Sequence, residues 1–191
     1  MENGQNRAKS ICVYCGSKLG RNDNHRSAAE TLGTRAAELG WRIVYGGGTL
    51  GLMGTTAKAA FNAGGRVFGV IPKFLVEQEG IFEDVDHRIV DTMHERKMLM
   101  FEEADAIVTL PGGIGTLEEV VETVSWARLQ LHRKPIILVN IDGYWSPLKQ
   151  LFDHVVGEGF ADRALLDDIV LVDTVEDVFK IAEARTLSEV V

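Results

Sequence analysis

Ala106-Ile107-Val108-Thr109-Leu110-Pro111-Gly112-Gly113-Ile114-Gly115-Thr116-Leu117-Glu118-Glu119 reads as a buried strand, a glycine turn and the start of a helix. Residues 106–110 form a short apolar run, continuous as strands buried on both faces are. Gly112, Gly113 and Gly115 let the backbone turn sharply and bring its N–H groups close to a ligand. The residues that follow have helical period. A helix N-terminus exposes unpaired amides and carries partial positive charge, so a phosphate is its natural occupant. A tight turn can also need glycine for its own geometry. Three glycines after a buried strand, with Thr116 following, favour phosphate binding.

The same alternation extends in both directions. Strands are expected at 10–14, 42–45, 66–71, 87–91, 106–110, 135–141 and 169–172, and helices at 25–39, 52–63, 94–103, 116–131, 147–158 and 175–184. Residues 73–86 are the main irregular connection. Alternating strands and helices predict an α/β, doubly wound, Rossmann-like parallel sheet of about seven strands with helices on both faces. In such sheets ligands bind beyond the carboxyl ends of the strands, where the strand order reverses.

Residues 1–191 read as one domain, with no repeat or linker to divide them. Residues 1–9 are polar and read as a short disordered lead rather than a signal peptide, and fraying is expected after Ala184. The chain is 46% hydrophobic and 25% charged, with a formal net charge of -8. That acidity argues against non-specific nucleic-acid or membrane-surface partners, though not against a small phosphorylated ligand. No apolar run approaches the ~20 residues that span a bilayer. Cys12 and Cys15 form a C-x-x-C, but both lie in the apolar run Ile11–Cys15, so buried strand cysteines are preferred over a redox pair. A cytoplasmic protein is expected.

Three further segments bear on chemistry. Thr116 and Glu119 fit a capping box, which gives Glu119 a structural role; Glu118, Glu119 and Glu122 also crowd beside the proposed anion site. Capping and catalysis are evenly matched for Glu119 on these grounds. In Asp91-Thr92-Met93-His94-Glu95-Arg96-Lys97, Thr92 and Glu95 again match a capping box. His94, Arg96 and Lys97 then oppose the helix dipole, a cost that a bound phosphate or facing carboxylate offsets; a solvated basic face is the plainer reading. In Tyr45-Gly46-Gly47-Gly48-Thr49-Leu50-Gly51-Leu52-Met53-Gly54, three glycines satisfy G-x-G-x-x-G. The motif follows the second strand, and no acidic residue ends the next one, so a dinucleotide-dependent dehydrogenase is disfavoured. Ser17, closing the first strand beside Gly16, can donate to a phosphate. The five histidines show no metal-ligand spacing and no G-x-S-x-G elbow is present, so no metal or serine nucleophile is expected.

Together, Gly46–Gly54, Met93–Lys97 and Pro111–Glu119 closely resemble the LONELY GUY (LOG) family, whose signature P-G-G-x-G-T-x-x-E stands here without departure at Pro111–Glu119. The resemblance runs from about Ile11 to Val172. It implies a hydrolase of cytokinin biosynthesis, a phosphoribohydrolase that cleaves cytokinin riboside 5′-monophosphates, and often AMP, to free base and ribose 5-phosphate. It implies Arg96 and Glu119 as catalytic residues, which decides Glu119 for catalysis without removing its capping role. Gly112, Gly113, Gly115, Thr116 and Ser17 would hold the 5′-phosphate, and Lys97, Glu79 and Glu118 would line the substrate pocket. A homodimer or dimer-based oligomer is implied, with the site near the subunit interface. On the residues themselves, the helices bearing Met98–Phe101 and Val120–Trp126 could supply that face, although core packing accounts for the same side chains. No cofactor is expected. Relatives have carried the label lysine decarboxylase, but no lysine here sits in a setting suited to pyridoxal phosphate. A nucleotide-binding sensor or carrier without chemistry is the alternative.

Overall fold

Successive side chains of the central strands enter two different cores, as the period of an extended strand requires. In β1 (Ser10–Tyr14), Ile11 and Val13 join one cluster while Cys12 and Tyr14 join the other. A computed structural model describes residues 9–187, and a seven-stranded sheet lies within them. After β1 come α1 (Asp23–Glu38), β2 (Arg42–Tyr45), α2 (Gly51–Asn62) and β3 (Val67–Pro72). The short α3 (Val76–Glu79), β4 (Asp86–Val90), α4 (Met93–Glu102), β5 (Ala106–Thr109) and α5 (Ile114–Arg128) follow. The chain then forms β6 (Ile136–Val139), α6 (Ser146–Gly157), α7 (Ala164–Asp167), β7 (Ile169–Val172) and α8 (Val175–Leu187).

All seven strands are parallel, in the order β4-β3-β2-β1-β5-β6-β7. β1 pairs with β2 on one side and β5 on the other, with Ile11 opposite both Ile43 and Ala106. The winding reverses here, opening a crevice beyond the carboxyl ends of β1 and β5. Helices α1, α2 and α8 cover one face, burying Leu32, Ala57 and Phe179; α4, α5, α6 and α7 cover the other, burying Met100, Val120, Phe152 and Leu165. Each large aliphatic side chain removed from water here contributes about 1.5–3 kcal/mol. The edge strand β4 is exposed and carries Asp86, His87 and Arg88, charges that discourage pairing with another sheet.

The expected elements are all present, with ends shifted by three residues or fewer. Two departures matter. The stretch 73–86 is partly ordered by a 3₁₀ turn at Lys73–Leu75 and by α3. And α5 begins at Ile114, with Gly113 as its N-cap in extended conformation and no side-chain cap. Thr116 is thus already inside the helix, and the capping box expected of Thr116 and Glu119 does not form. The box at Thr92 and Glu95 does: the Glu95 amide donates to Thr92 Oγ1 at 3.1 Å, and the Thr92 amide to Glu95 Oε2 at 3.1 Å. Helix α8 continues past Ala184 to Leu187. Residues 1–8 of the expected lead lie outside the described range, whereas Lys9 packs over the Trp41 ring. Among the described residues, no helix is long and apolar enough to cross a membrane.

Candidate active site

A cleft of about 720 Å³ opens at the crevice between β1 and β5, within the size range of small-molecule sites. Its walls are the segment after β1, the turn after β5, the first turns of α5, and Met93 and Arg96 of α4. Gly16 ties these parts together: its amide donates to Pro111 O at 3.1 Å, and its carbonyl accepts from the amides of Leu52 (3.0 Å) and Met53 (3.3 Å). The N-terminus of α2 is therefore occupied by protein.

The N-terminus of α5 is arranged differently. Pro111 O accepts from Gly16 N–H, Gly113 O from Leu117 N–H, and Gly112 O from the Tyr144 hydroxyl. The carbonyls of the turn are thus turned into the protein. The amides of Ile114, Gly115 and Thr116 start the helix, where no carbonyl one turn earlier is available to them. Gly112, Gly113, Gly115, Thr116 and Ser17 all face the cleft. Thr116 is buried against Gly112, so closely that a Cβ on Gly112 would come within 2.1 Å of Thr116 Oγ1.

Glu119 lies one turn further along α5 and also lines the cleft. Its backbone carbonyl accepts from Thr123 Oγ1 at 2.8 Å. Burial pushes its carboxyl pKa up to about 7; Glu118 and Glu122 add to this, while Arg96 and Lys97 pull the other way. Such a group is poised for chemistry near neutrality.

Arg96 is only 8% exposed. Its Nε donates to Val70 O at 3.2 Å and its Nη2 to Gly46 O at 3.0 Å, one carbonyl within β3 and the other just past β2. These bonds fix the guanidinium plane and leave Nη1 near Met93 Sδ, a weak acceptor, at 3.9 Å. The plain reading of a solvated basic face fails for Arg96. It fails for Lys97 too: its ammonium meets Glu118 Oε1 at 2.6 Å and Glu122 Oε2 at 2.9 Å. Partial burial disfavours the charge on Lys97, but the hydrogen bonds it donates to these carboxylates outweigh it and raise the pKa. Lys97 is not on the cleft wall; it links α4 to α5 behind Glu119's neighbours. Glu118 is on the wall, at the outer end of that ion pair.

Glu79 reaches the cleft from α3. Its carbonyl accepts from the amide (3.0 Å) and hydroxyl (2.9 Å) of Thr49, and its Oε2 is buried without a hydrogen-bond partner. An unsatisfied buried carboxylate oxygen calls for a donor. Cys15 lies just past β1 and lines the cleft, while Cys12 is in the core. Burial, with Glu119 as the next cause, pushes both thiols far above their usual range, the reverse of what a redox pair needs. His25, Lys18, Arg21 and Tyr144 also line the cleft and were not singled out in sequence. Only the Asp142-Gly143 turn after β6 hints at Tyr144.

A rice (Oryza sativa subsp. japonica) protein named cytokinin riboside 5′-monophosphate phosphoribohydrolase LOG is 47% identical over 157 residues, 82% of this chain and 65% of its own length. The aligned part therefore spans just under two thirds of that relative. The protein named cytokinin riboside 5′-monophosphate phosphoribohydrolase LOG7 from Arabidopsis thaliana is 45% identical over 84% of this chain and 74% of its own length.

This chain belongs to the LOG family.

A family model described as "Possible lysine decarboxylase" matches residues 53–182. The residues here do not fit a Schiff-base lysine: Lys97 is held charged by two carboxylates, and Lys18 is exposed at the rim. The LOG signature Pro111–Glu119 coincides with the turn and first helical turns that bound the cleft. The fold extends more widely than the LOG family. The molybdenum cofactor carrier protein of Chlamydomonas reinhardtii superposes with a TM-score of 0.73 at 23% identity, over 95% of this chain and 99% of its own.

Proposed function

We propose that this chain is a nucleoside 5′-monophosphate phosphoribohydrolase, releasing free base and ribose 5-phosphate from cytokinin riboside 5′-monophosphates, AMP or both. The observation that carries it is one cleft holding an open helix N-terminus, a half-buried carboxylate one turn further on and a buried, braced arginine. The 5′-phosphate docks on the amides of Gly113, Ile114, Gly115 and Thr116, with Ser17 opposite. That anchors the ribose beside Glu119. As the C1′–N bond breaks, its electron pair leaves on the base and positive charge grows on the sugar. Ionised Glu119 stabilises that charge and orients the attacking water. Water oxygen bonds to C1′ and one water proton ends on the base. Arg96 offsets negative charge on the phosphate or departing base, and the free Oε2 of Glu79 accepts from a sugar or base donor. Glu118 orders the rim.

A homodimer through α4 and α5 is part of this reading. Met100, Val120 and Val124 serve the core, but Met93, Val121 and Leu129 remain exposed and supply apolar surface. Sedimentation of the purified chain tests it. The free thiols of Cys12 and Cys15 suit the reducing cytosol.

The test of function is base release, followed by chromatography, from AMP and from isopentenyladenosine 5′-monophosphate. Release that disappears in Glu119→Gln supports the reading, and the rate ratio ranks the substrates. Tight AMP binding with no release from either nucleotide replaces it with a sensor or carrier.

A further inference from the structure

We infer that Tyr144 is a positioning residue for the phosphate turn, setting the direction of the Gly113 amide. The Tyr144 hydroxyl donates to Gly112 O across 32 positions of sequence. No peptide bond among the described residues is cis, so the Gly112 carbonyl and the Gly113 N–H point in opposite directions within one rigid plane. Drawing that carbonyl toward Tyr144 aims the Gly113 amide away from it and so fixes the direction of the N–H at the N-cap of α5. Among the described residues no other hydrogen bond holds the Gly112–Gly113 plane, and glycine on both sides lowers the cost of rotating it.

Tyr144 is itself held in place. Its ring stands edge-on to His25 (5.3 Å between centroids) and to Trp145 (4.9 Å). The turn before it is pinned at both ends. Asp142, in left-handed conformation (φ 51°), accepts from Asn22 Nδ2 at 2.7 Å and Asn24 Nδ2 at 2.8 Å. Asn140 Oδ1 accepts from the Trp145 amide at 2.8 Å. The β6 loop thus braces the β5 turn against the start of α1. Preorganised amides bind an anion without a reorganisation cost, which is the benefit Tyr144 would confer.

The inference rests on the phosphate-docking half of the proposed function. Its test is Tyr144→Phe, which keeps the ring contacts and deletes the hydroxyl. Calorimetric binding of ribose 5-phosphate and of adenosine is compared in wild type and variant, with thermal melting alongside. The expected result is about five- to tenfold weaker ribose 5-phosphate binding, with adenosine binding and melting temperature unchanged. Kinetically, KM for AMP rises by a similar factor and kcat stays within about twofold. Unchanged ribose 5-phosphate binding overturns the inference, as does equal weakening of both ligands, which would mean general damage to the cleft. A wild type that binds ribose 5-phosphate yet releases no base removes the hydrolase reading, and the Tyr144 comparison still decides this one.

Discussion

The turns after β2 and β5 are both rich in glycine and both open a helix, but the space beside Gly113 and Gly115 differs from that beside the glycines of the first turn. A Cβ on Gly54 would lie 1.9 Å from Thr49 O, and one on Gly51 would lie 2.2 Å from the Ser17 carbonyl carbon. A Cβ on Gly46 would meet Arg96 Nη2 at 2.0 Å. A Cβ on Gly113 or Gly115 would meet no atom within 4 Å beyond the adjoining backbone. The first turn uses glycine so that protein can pack against it, seating Arg96 and closing the α2 N-terminus on Gly16. The second packs Gly112 against Thr116 but leaves the backbone clear at Gly113 and Gly115. Glycine content marks close approach, and only the surroundings say what approaches.

The largest expected effect lies on the open side. Glu119→Gln should lower kcat by roughly 100- to 10,000-fold with KM much less affected, measured by base release. A comparable loss from a change confined to the first turn, without unfolding, would break the division of labour. Next is Gly54→Ala, expected to cost about 3 kcal/mol or more in denaturant unfolding, because backbone must shift to admit the methyl. If it is tolerated, the first turn is not the packed element described here.

Glu119 also predicts a pH signature. Its carboxyl titrates near 7 in the fold against an ordinary value of 4.5. No penalty exists below pH 4.5; it grows as pH rises toward 7 and is constant above. Glu119→Gln should therefore be more stable than wild type by about 1–3 kcal/mol at pH 8, with the gain vanishing below pH 4.5. The surrounding charges are Arg96 and Lys97 of α4 and Glu118 and Glu122 of α5, with Cys12, Tyr14 and Cys15 beneath. A pH-independent stability difference would mean the carboxylate is solvated. The smallest effect sharpens the contrast most. Gly115→Ala, also in a first helical turn, should raise stability by about 0.5–1 kcal/mol while raising KM for the nucleotide. Opposite signs for Gly54→Ala and Gly115→Ala, read by thermal melting, separate packed glycine from open glycine.

Much of the fold was legible because strand and helix periods are local properties of the chain. The apolar runs at 10–14 and 169–172 match β1 and β7 to the residue. α3 and α7 escaped notice because four residues are too few to show a helical period. The candidate residues Ser17, Glu79, Arg96, Gly112, Gly113, Gly115, Thr116, Glu118 and Glu119 come together on one cleft. Lys97 did not follow its neighbour Arg96. Adjacent positions on a helix point about 100° apart, and the Lys97 direction leads to Glu118 and Glu122.

The amino-acid sequence by itself determined the alternating elements, the glycine turns and the helix cap at Thr92, since each depends on residues a few positions apart. Tertiary structure decided which glycine turn stays open and where α5 starts. It also decided that Glu119 titrates near 7 and that Tyr144 meets Gly112. These depend on strand order: placing β5 between β1 and β6 brings Gly16 and Tyr144 to one turn, and burial against distant segments sets the charge of Glu119. Contacts between residues far apart in sequence exist only once the sheet has assembled.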